Sequence, residues 1–261
     1  MSSPQGYLYR EAGEGIARNG PAVVHGGYGS DRASDHPPLL AGIQPEDRAR
    51  LLAAARSKEL ARGQMLYLEG DSLQQVWLLT AGFVKTTQIG TGGVEVILRL
   101  SGPNDVLGAF DLATGVHSSA AQALRSCRAL VWEAYLFRRM LERYPVLHQN
   151  MARMLGGHLL ELQERFREVA TERVAPRVAR QVIRLLDTIG RTRRAGVNDR
   201  MLDGEVDIGL SREELAQMTG TTLFTISRLL SAWQARGIVK PRREAFTICD
   251  LPSLRALCNE Q

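Results

Sequence analysis

"LSREELAQMTGTTLFTISRLLSAWQARGIV", Leu210 to Val239, decides how this chain is read. Ser211 and Glu214 head an apolar-periodic run with the spacing of a capping box, so a helix starts at Ser211. Ala216 is small where two helices must cross closely. Gly220, four residues on, supplies a turn conformation that other residues adopt only at a cost. Six residues further, Ile226 faces back towards the first helix, and Leu215, Leu229, Leu230 and Trp233 extend the apolar face. Thr221 or Thr222 caps the second helix and Gly237 ends it. The pattern predicts a helix-turn-helix, with an ordinary helical hairpin as the alternative. The flank favours the first. "IVKPRREAFTI" (Ile238–Ile248) reads as two short strands joined by Pro241-Arg242-Arg243-Glu244, a basic wing placed to touch phosphate.

Working outward, "RMLDGEVDIG" reads as a hairpin turning at Asp203-Gly204, and "GRTRRAGVNDR" before it as a basic connector. A helix is expected from about Glu172 to Ile189. Another is expected from about Tyr135, interrupted at Pro145, and running on to about Val169. Along it Leu147, Met151, Leu155, His158/Leu159, Leu162, Phe166 and Val169 step by threes and fours, a seam about three heptads long. Such a seam proposes a parallel dimer with Leu147, Met151, Leu155, His158, Leu162 and Phe166 at its contact; a core helix packed on its own domain is the plainer reading. Gly156-Gly157 in mid-helix costs about 1 kcal/mol per Gly against Ala, which a close helix approach or a hinge would explain; a tolerated defect is the alternative.

Between Leu60 and Glu133 the pattern is different. "MLYLEGD", "VWLLTAGFVKTTQIG", "TGGVEVILRL" and "CRALVWEA" are short β-rich runs separated by turn residues, with Gly92-Gly93 as a hairpin turn. They predict a β-sandwich or jelly roll. "IQPEDRARLLAAAR" (Ile43–Arg56) is a short helix ahead of it. Residues 1–36, rich in Gly, Pro and Ser and without period, read as a flexible tail. The expected organisation is therefore α+β: tail 1–36, β-domain 37–134, long helix 135–170, winged helix-turn-helix 171–261.

The chain has 261 residues and net charge +5. Residues 171–261 hold 15 basic and 11 acidic side chains, so most of the excess sits in the C-terminal third, as suits binding to an anionic polymer. Cys127, Cys249 and Cys258 are scattered, with no CxxC pair for a zinc ribbon or cluster. An odd count and no secretion signal in "MSSPQGYLYREAGEG" predict a reducing, cytoplasmic setting. No run approaches a membrane span, so no membrane partner is expected. There is no P-loop, GxSxG or metal-spaced His/Cys cluster, which argues against an enzyme.

The order β-sandwich, long helix, winged helix-turn-helix resembles the bacterial Crp/Fnr family of transcription regulators, over about Leu39 to Leu257 and most closely over Leu210–Val239. The resemblance implies a cyclic-nucleotide-binding-like sensor, a dimerisation helix, and a reading helix that enters the major groove of double-stranded DNA. An activator of this kind would also meet RNA polymerase. By position, Arg228 falls on the family's guanine-contacting Arg, and its fork suits guanine O6 and N7. Arg212 and Thr225 fall on phosphate-contacting positions. Phe224 stands where many members have a Glu that accepts from cytosine, and Leu223 where some have an Arg. With Thr221, Thr222, Ser227, Lys240, Arg242 and Arg243 these are the candidate DNA contacts. Leu223 and Phe224 either meet thymine methyls or, for Phe224, pack against the protein.

The sensor departs from the cyclic-AMP-binding members. They hold the ribose with a Gly-Glu pair and the cyclic phosphate with an Arg-Ser pair; here Gly108 precedes Ala109, and His117-Ser118 stands in the second place. Each charge-assisted bond lost costs roughly 1.5–3 kcal/mol, which argues against cyclic AMP. Gly108, Ala109, Phe110, His117, Ser118 and Ser119 are the candidate effector contacts. The family's iron–sulfur sensors need an N-terminal cysteine cluster, and residues 1–60 have no Cys. Haem, nitric oxide, another small ligand, a redox signal or no effector at all stay open. His117 and His158 are the candidate haem ligands, although a lone His is more often a surface or core residue. A competing class is a haem or small-ligand sensor whose output is not DNA binding.

Overall fold

Val76-Trp77-Leu78-Leu79 is apolar without alternation, and the fold buries both of its faces. The computed structural model describes residues 36–194, 206–242 and 245–259. Residues 1–35 of the expected tail, the Asp203-Gly204 turn and Arg243-Glu244 of the wing lie outside the described residues. A helix, α1 (Pro45–Ala53), precedes eight strands: β1 (Arg56–Leu60), β2 (Met65–Tyr67), β3 (Gln75–Ala81), β4 (Val84–Ile89), β5 (Glu95–Ser101), β6 (Val106–Leu107), β7 (Ala120–Ala123) and β8 (Cys127–Glu133). They form two antiparallel four-stranded sheets, β1-β8-β3-β6 and β2-β7-β4-β5. Trp77, Leu79, Val84, Ala121, Ala129 and Val131 fill the space between them. Gly92 (φ 119°) and Gly93 (φ 77°) turn the β4–β5 hairpin as expected. Cys127 is a buried filler whose Sγ donates to the Phe83 and Arg125 carbonyls.

The opposite face of β3 and β8 carries a second core. Val76, Leu78 and Trp132 meet Phe137, Met140 and Leu141 of α2 (Ala134–Arg143) and Leu147 and Met154 of α3 (Pro145–Thr171). The helix before Pro145 therefore packs on the sandwich. The start of α3 does so too: Asn150 Nδ2 donates to the Leu39 and Ala41 carbonyls at 2.9 and 2.8 Å. This corrects the seam. Leu147 is turned fully inward, Met151 packs partly against the same core, and His158 faces the sandwich. The apolar positions from Leu155 on are exposed. α3 runs unbroken through Gly156-Gly157, and no atom comes within 4 Å of where a side chain on Gly156 would stand, so no close approach among the described residues accounts for that glycine.

α4 (Val174–Arg194) runs five residues past the expected Ile189 end and absorbs part of the basic connector, because Arg-rich sequence is a good helix former. β9 (Val206–Ile208), α5 (Arg212–Thr219), α6 (Leu223–Ala235), β10 (Val239–Arg242), β11 (Ala245–Ile248) and α7 (Leu251–Leu257) complete the chain. Pro241 and Arg242 lie in β10, opposite Phe246 and Ala245, and not in the wing's turn as the sequence suggested. β9 pairs with β11, making a three-stranded sheet. The core of this half includes Val178, Val182, Leu185, Ile208, Leu215, Ile226, Leu230, Trp233 and Phe246. Phe83, Ile97 and Leu124 of the sandwich join it.

Candidate nucleic-acid interface and effector loop

The helix-turn-helix is built by its caps. The Ser211 hydroxyl accepts from the Glu214 amide at 3.1 Å, and the Glu214 carboxylate accepts from the Ser211 amide at 2.8 Å. Gly220 ends α5 in the left-handed region (φ 60°), which a side chain would disfavour. Thr222, not Thr221, caps α6 by accepting from the Thr225 amide at 3.1 Å. Gly237 follows the end of α6 with φ 72°. Leu215, Ile226, Leu230 and Trp233 lock α5 to α6 and leave one face of α6 outward.

On that face Leu223 is 50% exposed and Phe224 76%, so Phe224 does not pack into the protein. Phe224 and Arg228 are one helical turn apart, as are Leu223 and Ser227, so both pairs share the outward surface. Arg228 and Arg212 are exposed, and Lys240 and Arg242 are exposed on β10; Thr221 and Ser227 are half-buried at the edges. The Thr225 hydroxyl lies 2.9 Å from that of Thr222. The α6 N-terminus, where Leu223 and Phe224 are exposed, favours an anion through the helix dipole.

The candidate effector loop is closed on itself. Gly108 (φ 78°) starts a 3-10 turn, Ala109–Leu112; a Cβ there would stand 2.9 Å from the Gln75 carbonyl oxygen and 3.3 Å from His117 Cε1. Ala109 is buried. His117 is buried as well, its Nδ1 3.1 Å from Asp111 Oδ2 and its ring stacked on Tyr67. The other Asp111 oxygen accepts from the Ser118 hydroxyl at 2.9 Å and the Ser118 amide at 3.4 Å. Burial, with the Asp111 carboxylate nearby, pushes the Tyr67 hydroxyl far up, so it stays protonated. Ser119 is buried.

His158 stands apart from this group. Its ring meets Phe110 edge-on at 5.3 Å between centroids, and its Nδ1 is 3.4 Å from Arg99 Nη1. Arg99 is itself paired with Asp105 at 2.9 Å. Burial, then the Arg99 charge, lowers His158 to a pKa of about 4, and its Nε2 is buried with no hydrogen-bond partner among the described residues. Neither imidazole is presented to an open space: one is held by Asp111 and Tyr67, the other wedged by Phe110 and Arg99. Among the described residues no three His, Cys, Asp or Glu side chains cluster to hold a metal ion.

Two family models match the two halves: a cyclic nucleotide-binding domain over residues 57–144 and a Crp-like helix-turn-helix domain over 176–257. The chain belongs to the Crp/Fnr family. It is 24% identical over 213 residues to the CRP-like cAMP-activated global transcriptional regulator of Mycobacterium tuberculosis, covering 81% of this chain and 92% of that one. To the fumarate and nitrate reduction regulatory protein of Salmonella typhimurium it is 26% identical, over 77% and 78%. A CRP-family transcriptional regulator of Thermus thermophilus shares the fold at TM-score 0.66 and 22% identity, over 78% and 97%.

As a Crp/Fnr protein the chain is a DNA-binding transcription regulator. No described helix is long and apolar enough to cross a membrane. Sequence reasoning placed the helix-turn-helix but missed Asp111 and Tyr67, the groups that fix the candidate effector loop. Asp111 carries a weak signal: it lies six residues before His117, across a loop with Gly at 115. Tyr67 sits far off in sequence and carries none.

Proposed function

We propose that two copies of this chain form a parallel dimer through α3 and read a roughly palindromic promoter site, under an effector other than cyclic AMP. The observation that carries the dimer is the stripe Leu155, Leu159, Leu162, Phe166 and Val169, spaced four, three, four and three residues apart and exposed throughout. An a/d stripe of this kind is stable in water only when covered, and a second α3 has the matching surface. Two-fold symmetry then sets two α6 helices into successive major grooves, with half-sites about one helical turn apart. Arg228 fixes a guanine. Leu223 and Phe224, apolar and outward, pack on thymine methyls. Arg212, Lys240, Arg242 and Arg243 hold phosphates in a salt-dependent way.

The effector reading rests on the closed loop. Ala109 offers the ribose no carboxylate, and the Asp111 carboxylate already takes the Ser118 and His117 donors that a cyclic phosphate would need. A second anion there would meet like charge in a partly buried site. The relatives' names do not choose an effector, since one is called cAMP-activated and another a fumarate and nitrate reduction regulator.

Sedimentation and in vitro site selection test the whole reading. The wild type is expected to sediment as a dimer and to select a two-fold logo that cyclic AMP leaves unchanged. Leu159→Glu with Phe166→Glu is expected to give a folded monomer that has lost the two-fold logo. A wild-type monomer, or a logo that sharpens with cyclic AMP, overturns it.

A further inference from the structure

The outward stripe of α3 does not begin at Leu155. Stepping back from Leu155 by three and then four residues reaches Ala152 and His148, and both are exposed. The full line is therefore His148, Ala152, Leu155, Leu159, Leu162, Phe166 and Val169, which alternates fours and threes without a break over about three heptads. It lies one residue on from Leu147 and Met151, the positions that the sandwich covers. A histidine thus occupies the first layer of a seam whose later layers are apolar. The residues three and four positions away from it are Tyr144, Pro145, Met151 and Ala152, with no Lys, Arg, Asp or Glu among them. Among the described residues His148 has no hydrogen-bond or ionic partner, so neither ring nitrogen is committed. Ala152, the next layer, is small, and a side chain on Gly156 would meet nothing within 4 Å in its own chain. Two copies of α3 can therefore approach closely at this end.

We propose that the pairing of two α3 helices makes a divalent transition-metal site from the two copies of His148. The inference rests on the parallel dimer proposed above, in which identical residues of each layer face one another across the two-fold axis. Neutral imidazole suits zinc, nickel and copper, whereas magnesium and calcium take oxygen donors. Within one chain no three His, Cys, Asp or Glu side chains cluster among the described residues, so the second copy is what completes the site. Two protein nitrogens leave the other coordination positions to water, which makes the site an open one. The ion is held by the pair and not by the single chain, so it favours the dimer by mass action. It does so at the end of α3 that packs on the sandwich, far along the helix from the reading domain.

Calorimetric titration and sedimentation of the full chain without DNA test it, with zinc chloride and, separately, nickel chloride, each against magnesium chloride and against a chelator. Saturable uptake of one metal ion per two chains is expected from at least one of the first two and none from magnesium. The same ion is expected to tighten the dimer by roughly tenfold or more, and the chelator to reverse this. His148→Ala, an exposed change, is expected to remain a dimer and to lose both effects. Leu159→Glu with Phe166→Glu keeps His148 but separates the two copies, and is expected to take up metal no better than His148→Ala, a result that a site built on a single imidazole would not give. A wild-type dimer that takes up no metal, or undiminished uptake in His148→Ala or in the monomeric variant, overturns the metal site and leaves the dimer standing. A wild-type chain that stays monomeric with and without metal overturns both.

Discussion

The ring of His117 lies parallel to that of Tyr67, 3.6 Å between centroids and 5° apart, with the Asp111 carboxylate fixing its edge. One carboxylate thus holds a buried imidazole and both donors of Ser118. Asp111→Ala is expected to cost about 1–3 kcal/mol, the range for stranding one buried donor, here the His117 ring, since Ser118 is exposed and can turn to water. Asp111→Asn, which keeps one acceptor, should cost less. Urea denaturation at unchanged m-value reads both; equal stability of Asp111→Ala and wild type would show the loop is held by other means.

His158 makes stability depend on acid. Its folded pKa is depressed, from 6.5 to about 4, first by burial and then by Arg99. Above pH 6.5 neither folded nor unfolded chain protonates it, and its full contribution is present. As pH falls from 6.5 towards 4 the unfolded chain takes up a proton that the folded chain refuses, so stability declines, and the loss is complete below about 4. The expected decline is roughly 2 kcal/mol, reduced for partial exposure. His158→Phe should flatten the slope of denaturation free energy against pH across this window. A variant with the wild-type slope would assign the acid sensitivity to other groups.

Arg228 and Phe224 should separate as readers. Arg228→Ala is expected to cost about 1–3 kcal/mol of site affinity and to relax one G·C position. Phe224→Glu should move the adjacent preference from T towards C, since a carboxylate accepts from cytosine N4. Sites selected from random DNA decide both. If the preferred bases do not move in Phe224→Glu, that ring contributes surface but no sequence information.

Glu168, fully buried, and Arg184, partly exposed, form a bidentate pair between α3 and α4. Glu168→Gln leaves Arg184 without its counter-charge and should destabilise the chain by about 3 kcal/mol or more. Ser211→Ala, which removes only the α5 cap, should cost about 1 kcal/mol. Thermal denaturation of the two side by side checks the ranking. A milder effect for Glu168→Gln would mean that solvent reaches the pair.

The helix-turn-helix was legible because its signals are local. Ser211, Glu214, Gly220 and Thr222 act within a few residues of themselves, and the structure uses each as its type requires. The short β-rich runs, bounded by turn residues, were legible for the same reason. The α3 seam was half legible: spacing identifies a stripe, but not which part of it the chain covers itself, and Leu147 and His158 went inward because the sandwich reaches that far along the helix. Arg242 was misplaced because Pro241 suggests a turn, yet Pro is tolerated at an edge strand such as β10. The contacts that close the candidate effector loop, and those of Arg165, were out of reach. Tyr67 meets His117, and Arg165 meets Met218, from distant parts of the chain, and no short-range pattern announces such meetings.

Phe83, Ile97 and Leu124 sit on the sandwich yet share a core with the reading domain. The seam between sensing and reading is thus itself greasy interior, with no flexible string to absorb a displacement there. Melting should be a single cooperative event, and damage in either half should register as the loss of both. A displacement of β5 would move Ile97 and, with it, the core beneath the helix-turn-helix.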